Sequence, residues 1–376
     1  MNSIFTEIEK LTLEQSIEFD ALNPDRYTLV AKGADRTKTA YSFGVPIYNR
    51  QTNNIVDMKY LHRNTGSYYM GSNARIIIRD SVKMQNQYGC CDIILPGKVS
   101  KKTENTVSWS SQDTQIDVMP TLTGVAIKAM CTSIGQFSIT IKADRVFEST
   151  RSNDKYFSIM REKFVPFITV SCIGILNDRG EVIAPCKIHN RKVNEKEYIL
   201  NFTSQSKSGK NIFFEINMQE TKLFQDTTVE SRHPKMNNAF GGTAFLGQTN
   251  TFGEQWLYSR LEFSNLPQLQ NKRIIKAILH IPQLNHSNCL LTIHRVSARF
   301  CSFGSNWENK ISITDLLTES VASDGYYHID ITKLIRDNKK KSENYVIRAK
   351  DLYGKPVVIS TGDSFFKPQI LEVKFK

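Results

Sequence analysis

Residues 226–267 read DTTVESRHPKMNNAFGGTAFLGQTNTFGEQWLYSRLEFSNLP, and this stretch decides the fold class. Its last segment, residues 256–263, alternates between two faces, as a β-strand does. One face carries Leu257, Ser259, Leu261 and Phe263, and the other carries Trp256, Tyr258, Arg260 and Glu262. Two shorter β-prone runs, residues 227–229 and 243–246, precede it, and turn residues such as Pro234 and Gly241 separate them. The stretch therefore predicts antiparallel strands joined by tight turns.

The order of motifs from Asp226 onward is similar to that of a known domain family. The pattern D-x-x-V … N-x-x-F-G-G … L … R-L-x-F-S-x-L-P resembles the opening of the DNRLRE domain, also called the disaggregatase-related repeat. The family's later motifs have counterparts, in family order, at residues 274–279, 291–296, 305–308, 327–335 and 367–373. The resemblance covers about residues 225–376. It implies a jelly-roll β-sandwich related to carbohydrate-binding modules, a kind of domain often found in surface, cell-wall or virion proteins.

The preceding half of the chain also has the pattern of β-structure, with short runs rich in Ile, Val, Phe and Thr. These predicted strands lie at residues 27–31, 75–78, 92–95, 124–130, 137–141, 167–175, 198–202 and 212–216. Asn177–Gly180 lies between two apolar runs and predicts a hairpin turn. A helical turn is expected at residues 154–163. Val45–Tyr48 resembles a short motif that precedes DNRLRE domains in Rhs-type surface proteins, and this resemblance favours a β-sandwich here.

The sequence thus predicts an all-β protein with two domains. The first is an N-terminal β-sandwich-like domain at residues 21–222, and the second is a C-terminal DNRLRE-type jelly-roll β-sandwich at residues 223–376. A length of 376 residues suits two domains of ordinary size. Residues 332–337 are expected to form one short helical turn.

An acidic arm at residues 1–20 precedes the predicted domains and contrasts with the rest of the chain. It holds five acidic residues against the single Lys10, a net charge of −4. Because the whole chain has a net charge of +12, the remaining residues carry +16. Ile4, Ile8 and Leu11 have helical spacing, so the arm is either an amphipathic segment or an extended tail. The basic body predicts an acidic partner, or serves solubility alone. One hypothesis is that the acidic arm docks on a neighbouring subunit.

The sequence gives little support for catalytic, membrane or metal chemistry. We find no G-x-S-x-G, H-E-x-x-H or P-loop motif, and an enzyme is not expected. No apolar run approaches the roughly 18 residues that a membrane-spanning helix needs, and no signal peptide is recognised. The seven scattered cysteines lack zinc-site spacing and are expected to be reduced, mostly buried thiols. The jelly-roll resemblance allows a structural calcium near Asp226, but no other cofactor is expected.

The candidate binding residues lie on the strand at residues 256–263. If Leu261 faces the core, then Trp256, Tyr258 and Arg260 project from the opposite face. The two aromatic rings would form a platform about 7 Å long that stacks on a sugar or anchors a protein interface. The alternative is that a neighbouring loop or domain covers these side chains as core. Arg295 and Trp307 are further candidates, implied by the family's loop end.

These observations favour a non-enzymatic structural or adhesion protein of a particle or cell surface. The first expectation is a phage virion component, such as a decoration or tail- or fibre-associated protein, that assembles with itself or with a host particle. The alternatives are a stand-alone carbohydrate-binding module that recognises a surface glycan, and a spore-coat or cell-surface structural protein. A homo-oligomer with other structural proteins as partners is expected. Nucleic acid is not expected as a partner, because charge alone supports it.

Overall fold

The computed structural model describes residues 25–33, 36–52, 54–131, 136–204, 211–218, 223–337 and 342–376. The predicted acidic arm at residues 1–20 lies outside the described residues. The described part is nearly all β-structure in several antiparallel sheets, which confirms the predicted all-β fold. It divides into two compact units. The first takes the described residues of 48–218 with 240–242, and the second those of 25–47, 223–239 and 243–376.

The strands are numbered β1–β30 in chain order. The first unit contains β3 (Leu61–Arg63), β4 (Gly66–Met70), β5 (Arg75–Ile78), β6 (Val82–Asn86), β7 (Gly89–Ile94), β8 (Lys98–Thr103), β9 (Thr106–Ser110), β10 (Thr114–Pro120), β11 (Gly124–Cys131), β12 (Gln136–Ala143), β13 (Ser149–Ser152), β14 (Tyr156–Glu162), β15 (Val165–Leu176), β16 (Val182–Ala184), β17 (Cys186–Asn194), β18 (Glu197–Ser204) and β19 (Asn211–Asn217).

The remaining strands belong to the second unit. They are β1 (Thr28–Lys32), β2 (Lys38–Phe43), β20 (Phe224–Glu230), β21 (Thr243–Thr249), β22 (Gly253–Glu262), β23 (Ile274–Pro282), β24 (Leu291–Val296), β25 (Ile313–Ser320), β26 (Ala322–Ser323), β27 (Tyr326–Asp330), β28 (Ser342–Ala349), β29 (Val357–Ser360) and β30 (Ile370–Phe375). This unit also holds the helix α1 (Thr332–Asp337), at the predicted position, and two short 3-10 helices, Phe263–Asn265 and Pro267–Leu269.

The first unit consists of two antiparallel sheets that pack face to face. Eight strands form one sheet in the order β17-β18-β12-β7-β6-β5-β4-β3. The other has nine, in the order β13-β14-β15-β19-β11-β10-β9-β8, with β16 paired to β15. Phe202 of the first sheet stacks on Phe214 of the second, with ring centroids 4.2 Å apart. Both side chains are fully buried, so they join the two layers of one core.

Strand β7 illustrates why this sheet has one apolar and one polar face. Cys91 and Ile93 are completely buried, whereas Cys90 and Asp92 are half-buried and Ile94 is exposed. Since neighbouring residues of a strand point to opposite faces, the apolar positions of each strand supply the core and the others remain outside. The whole chain's seven cysteines are free thiols, and four of them are buried.

The predicted hairpin at Asn177–Gly180 is present between β15 and β16. The Asn177 side-chain oxygen accepts hydrogen bonds from the backbone N–H groups of Arg179 and Glu181. Gly180 has a φ of 79°, a conformation that glycine adopts without strain.

The helical turn predicted at residues 154–163 is wrong, because this segment contains strand β14, which pairs with β13 and β15. Tyr156–Met160 is buried throughout. With both faces covered, the strand shows no alternation of apolar and polar residues. Such a short apolar run cannot be told from a buried helix by its period.

The second unit is also built from two sheets around one core. Its six-stranded sheet has the order β1-β2-β30-β23-β27-β26. The seven-stranded sheet has the order β25-β24-β28-β22-β21-β29, with β20 paired to β22. Leu257 and Leu261 of β22 lie in this core, as the alternation predicts. Strands β23, β24, β27 and β30 lie where the family motifs predict strands.

The first two strands differ from the prediction, which placed them in the N-terminal domain at residues 21–222. Strand β2 pairs with β30, from Lys38 opposite Phe375 to Phe43 opposite Ile370. Val30 of β1 lies in the core of the second unit. Local sequence patterns predict that a segment is a strand but not which distant strand it pairs with, so this pairing was missed.

The stacked phenylalanine pair gives a direct test of the first unit's core. We expect Phe214→Ala to lower the free energy of unfolding by about 3–5 kcal/mol, because it removes a large buried ring and leaves a cavity. Urea unfolding followed by tryptophan fluorescence measures the change, since Trp109 is buried in the same unit. The matched control is Phe164→Ala, where the side chain is 46% exposed, and its cost is expected to stay below about 1 kcal/mol. Equal costs for the two variants would contradict the assignment.

Candidate functional site

The outward face of β22 is covered by the segment that follows β24. Tyr258 is only 1% exposed and packs with Val229, Val296, Phe300 and Val346. Its hydroxyl donates a hydrogen bond to the backbone oxygen of Ile311, at 2.6 Å. Burial raises the pKa of Tyr258 well above its usual value. The loop thus places Tyr258 in a small second core, away from any ligand that approaches from solvent.

Arg260 is also withdrawn from the surface. It is 8% exposed, and its Nε lies 2.5 Å from a carboxylate oxygen of Glu262. The guanidinium also donates to the side chain of Gln225 and to the backbone oxygen of Phe300. These contacts use the guanidinium to hold the loop against β20 and β22. Arg260 therefore serves to stabilise the fold of the second unit.

Trp256 and Trp307 come together at the edge of this small core. Both are half-buried, and their ring centroids are 5.2 Å apart with an angle of 59° between the planes. The indole nitrogen of Trp256 donates to a carboxylate oxygen of Glu254 at 2.6 Å. The Arg348 guanidinium donates a hydrogen bond to the same oxygen at 3.1 Å and lies 4.3 Å from the Trp256 ring centroid.

Lys310 completes this tryptophan cluster, which we define as Glu254, Trp256, Trp307, Lys310 and Arg348. Its ammonium nitrogen lies 4.1 Å from the Trp307 ring centroid and 5.5 Å from that of Trp256. It also donates to the backbone oxygen of Trp307 at 3.3 Å. Such cation–π contacts contribute about 0.5–1 kcal/mol each near the surface. The ring faces are therefore already in contact with cations of the protein itself.

The geometry of the cluster differs from the flat platform that the sequence predicts. The two indoles are strongly tilted and form a cleft, in which the only acidic group of the cluster, Glu254, is bonded to Trp256 and Arg348. A sugar or a partner side chain would reach the ring faces by displacing the flexible Lys310. The cluster is suited to stacking and hydrogen bonding.

The five predicted site residues are thus only partly brought together. Trp256 and Trp307 meet, whereas Tyr258 and Arg260 lie beneath the loop. Arg295 pairs with Tyr345, which belongs to the main core, so Arg295 lies on the opposite face of the sheet from Trp256. Sequence reasoning missed Phe300, Lys310 and Arg348. The available signal for Phe300 was a large apolar side chain in a loop of mostly small and polar residues.

The calcium predicted near Asp226 remains a prediction. Asp226 is buried, and one of its carboxylate oxygens accepts a hydrogen bond from the backbone N–H of Gly362. Over the described residues, no group of three or more His, Cys, Asp or Glu side chains is arranged to hold a metal ion.

Comparison of the sequence with models of protein families gives no match, and comparison with curated proteins gives none either. The likeness to the DNRLRE domain therefore rests on the motifs quoted above. Within the described part of the chain, no helix has the length and apolar character required to cross a membrane.

A pair of histidines forms a second polar cluster in this unit. The Nδ1 atoms of His280 and His328 are 2.7 Å apart, so a single proton lies between them. The Nε2 atom of His280 lies 3.0 Å from a carboxylate oxygen of Glu372, and His280 is almost fully buried. Burial, followed by electrostatic repulsion from His280, lowers the pKa of His328. Protonation of both rings would place two cations in contact.

This pair predicts a pH-dependent stability. The pKa of His328 is lower in the folded chain than in the unfolded chain, where it is about 6.5, so the unfolded state binds more protons as the pH falls through that value. We therefore expect the free energy of unfolding to decrease between pH 7.5 and pH 5.5, and His328→Gln to reduce this decrease. Urea unfolding at the two pH values measures it. The exposed His189→Gln is the control and is expected to keep the wild-type pH dependence. An unchanged dependence in His328→Gln would refute the assignment.

Proposed function

We propose that this protein is a non-enzymatic structural or adhesion protein of a particle or cell surface. A phage virion component, as a decoration or tail- or fibre-associated protein, is our first candidate, and a spore-coat or cell-surface protein is the second. The observation that carries the proposal is the exposed outer face of the eight-stranded sheet in the first unit. The DNRLRE resemblance supports it independently, since such domains are common in surface and virion proteins.

The outer sheet face is broad and continuous. One row of paired residues crosses seven strands, from Leu61 through Tyr68, Ile77, Lys83, Asp92 and Lys142 to Glu197. Six inter-strand spacings correspond to a width of about 30 Å. The residues next to this row in each strand point to the opposite face of the sheet and supply the core. The row itself therefore lies on the outer face. Interfaces between proteins require an area of this kind.

The outer sheet face combines cations with exposed apolar side chains. Leu61, Met70 and Ile94 are 56%, 41% and 39% exposed, respectively. Arg63 and Arg75 are exposed as well, and each guanidinium lies 5.9 Å from the ring centroid of Tyr68. Apolar side chains among arginines and a tyrosine favour binding to an acidic, partly apolar protein surface. A neighbouring structural protein, or another copy of this chain, would supply such a surface.

Assembly of the full-length protein tests this proposal. We expect light scattering and negative-stain microscopy to show ordered oligomers, rings or filaments at low salt. Arg63→Glu/Arg75→Glu is expected to raise the protein concentration needed for assembly at least about tenfold, because it reverses two charges on the outer sheet face. Lys101→Glu/Lys102→Glu makes the same charge change on exposed positions of β8 and should leave assembly intact. A monomer at every concentration would refute self-assembly.

The tryptophan cluster favours a second candidate function, a carbohydrate-binding module. Its cleft offers two half-buried indoles with lysine and arginine donors, groups that stack on and hydrogen-bond to sugars. We expect any glycan binding on an array to be lost in Trp307→Ala and retained in Lys310→Ala, which opens the ring faces. Tyr353→Ala removes an aromatic ring that is 90% exposed elsewhere in the unit and serves as the control. Equal loss in Tyr353→Ala, or no loss in Trp307→Ala, would contradict binding at the cluster.

A further inference from the structure

The second unit has a groove of about 1210 Å³ at the end of β22 where the chain leaves the sheet. The two 3-10 helices, the start of β23 and helix α1 enclose it. Its apolar lining comprises Phe263, Leu266, Leu269, Ile274, Ile275 and Ile335. Phe263, Ile274 and Ile275 are only half-buried, so the groove presents apolar surface to solvent. Apolar grooves of this size are typical binding sites for an amphipathic segment.

The rim of the groove is basic. Lys272 and Arg273 are exposed on one side, and the side chain of Lys376 lies beside them. Arg336, on α1, donates to the backbone oxygens of Ile274 and Ile275 and so fixes the helix to β23. No acidic side chain belongs to the described lining. The groove therefore suits an occupant with an apolar face and carboxylates beside that face.

The first 20 residues of the chain have this chemistry. Ile4, Ile8 and Leu11 fall on one face at helical spacing, and the segment carries a net charge of −4. Glu7 and Glu14 lie close in sequence to these apolar positions. The apolar face matches the apolar lining, and the carboxylates match the basic rim.

The described chain also begins next to the groove. Gln268, between the lining residues Leu266 and Leu269, donates to the hydroxyl of Thr28 at 2.7 Å. The same hydroxyl bonds the carboxyl of Asp25, the first described residue, at 3.0 Å. The residues that precede Asp25 therefore start at the edge of the groove. The 24 residues that precede Asp25 would span about 36 Å even as one continuous helix, so the acidic segment can reach the groove.

We propose that the acidic segment at residues 1–20 binds in this groove of its own chain, with Ile4, Ile8 and Leu11 on the apolar lining and its carboxylates facing Lys272 and Arg273. The contact is an internal one. It covers the exposed apolar surface and offsets part of the basic charge of the second unit.

Hydrogen–deuterium exchange of the full-length protein, read by mass spectrometry, tests the proposal. We expect the amides of residues 4–11 to exchange at least about tenfold more slowly than in a free peptide of the same sequence. Lys272→Glu/Arg273→Glu should abolish this protection, because it reverses the charge of the rim. Ile8→Asp should abolish it as well, because it would bring a carboxylate into an apolar site.

Two further variants keep the test decisive. Lys235→Glu/Arg299→Glu makes the same charge change on exposed residues that do not line the groove, and should leave residues 4–11 protected. Combining Glu7→Lys/Glu14→Lys with the reversed rim should restore protection, which a merely unfolded groove would not allow. Absence of protection in the wild type, or an equal loss in the Lys235/Arg299 control, would overturn the proposal. Protection that falls on dilution would assign the groove to the arm of a second copy instead.

Discussion

The antiparallel ladder between β2 and β30 is the constraint on which the second unit depends. It joins one of the first described strands to the last, and β30 in turn pairs with β23. Its register places Leu371 and Val373 in the core and leaves Glu372 and Lys374 on the other face. A slip of one residue would exchange these faces and bury two charged side chains. The sheet therefore tolerates only one alignment of strands that are far apart in the chain.

Much of this fold was predictable because side-chain alternation is a local property. The face of β22 that carries Leu257 and Leu261 was recognised from the sequence, and so were α1 and the hairpin at Asn177–Gly180. The pairing of β2 with β30 was not predictable, because the two strands share no local signal. Strand β14 was missed for a different reason, since burial on both faces removes the alternation.

The candidate site shows the same division between local and long-range information. Alternation correctly separates Tyr258 from Leu257, but it does not reveal what covers the second face of a strand. The cover is a loop that folds back from β24, and Phe300 packs 5.9 Å from Tyr258, measured between ring centroids. Trp256 is only half-buried and packs against the edge of this small core. The tryptophan cluster also contains Arg348 of β28, a neighbouring strand that is distant in sequence.

The division of the chain into units has a consequence for its synthesis. The first two strands of the second unit leave the ribosome before the first unit, whereas β30, the hydrogen-bonding partner of β2, is made only after the first unit. Between these moments the first unit can form its own two sheets, while β1 and β2 have an unpaired edge. Contacts of such long sequence separation form slowly, and unpaired strand edges are prone to association with other chains. The order in which the described strands are made therefore leaves the hairpin of β1 and β2 with an unpaired edge until β30 has emerged.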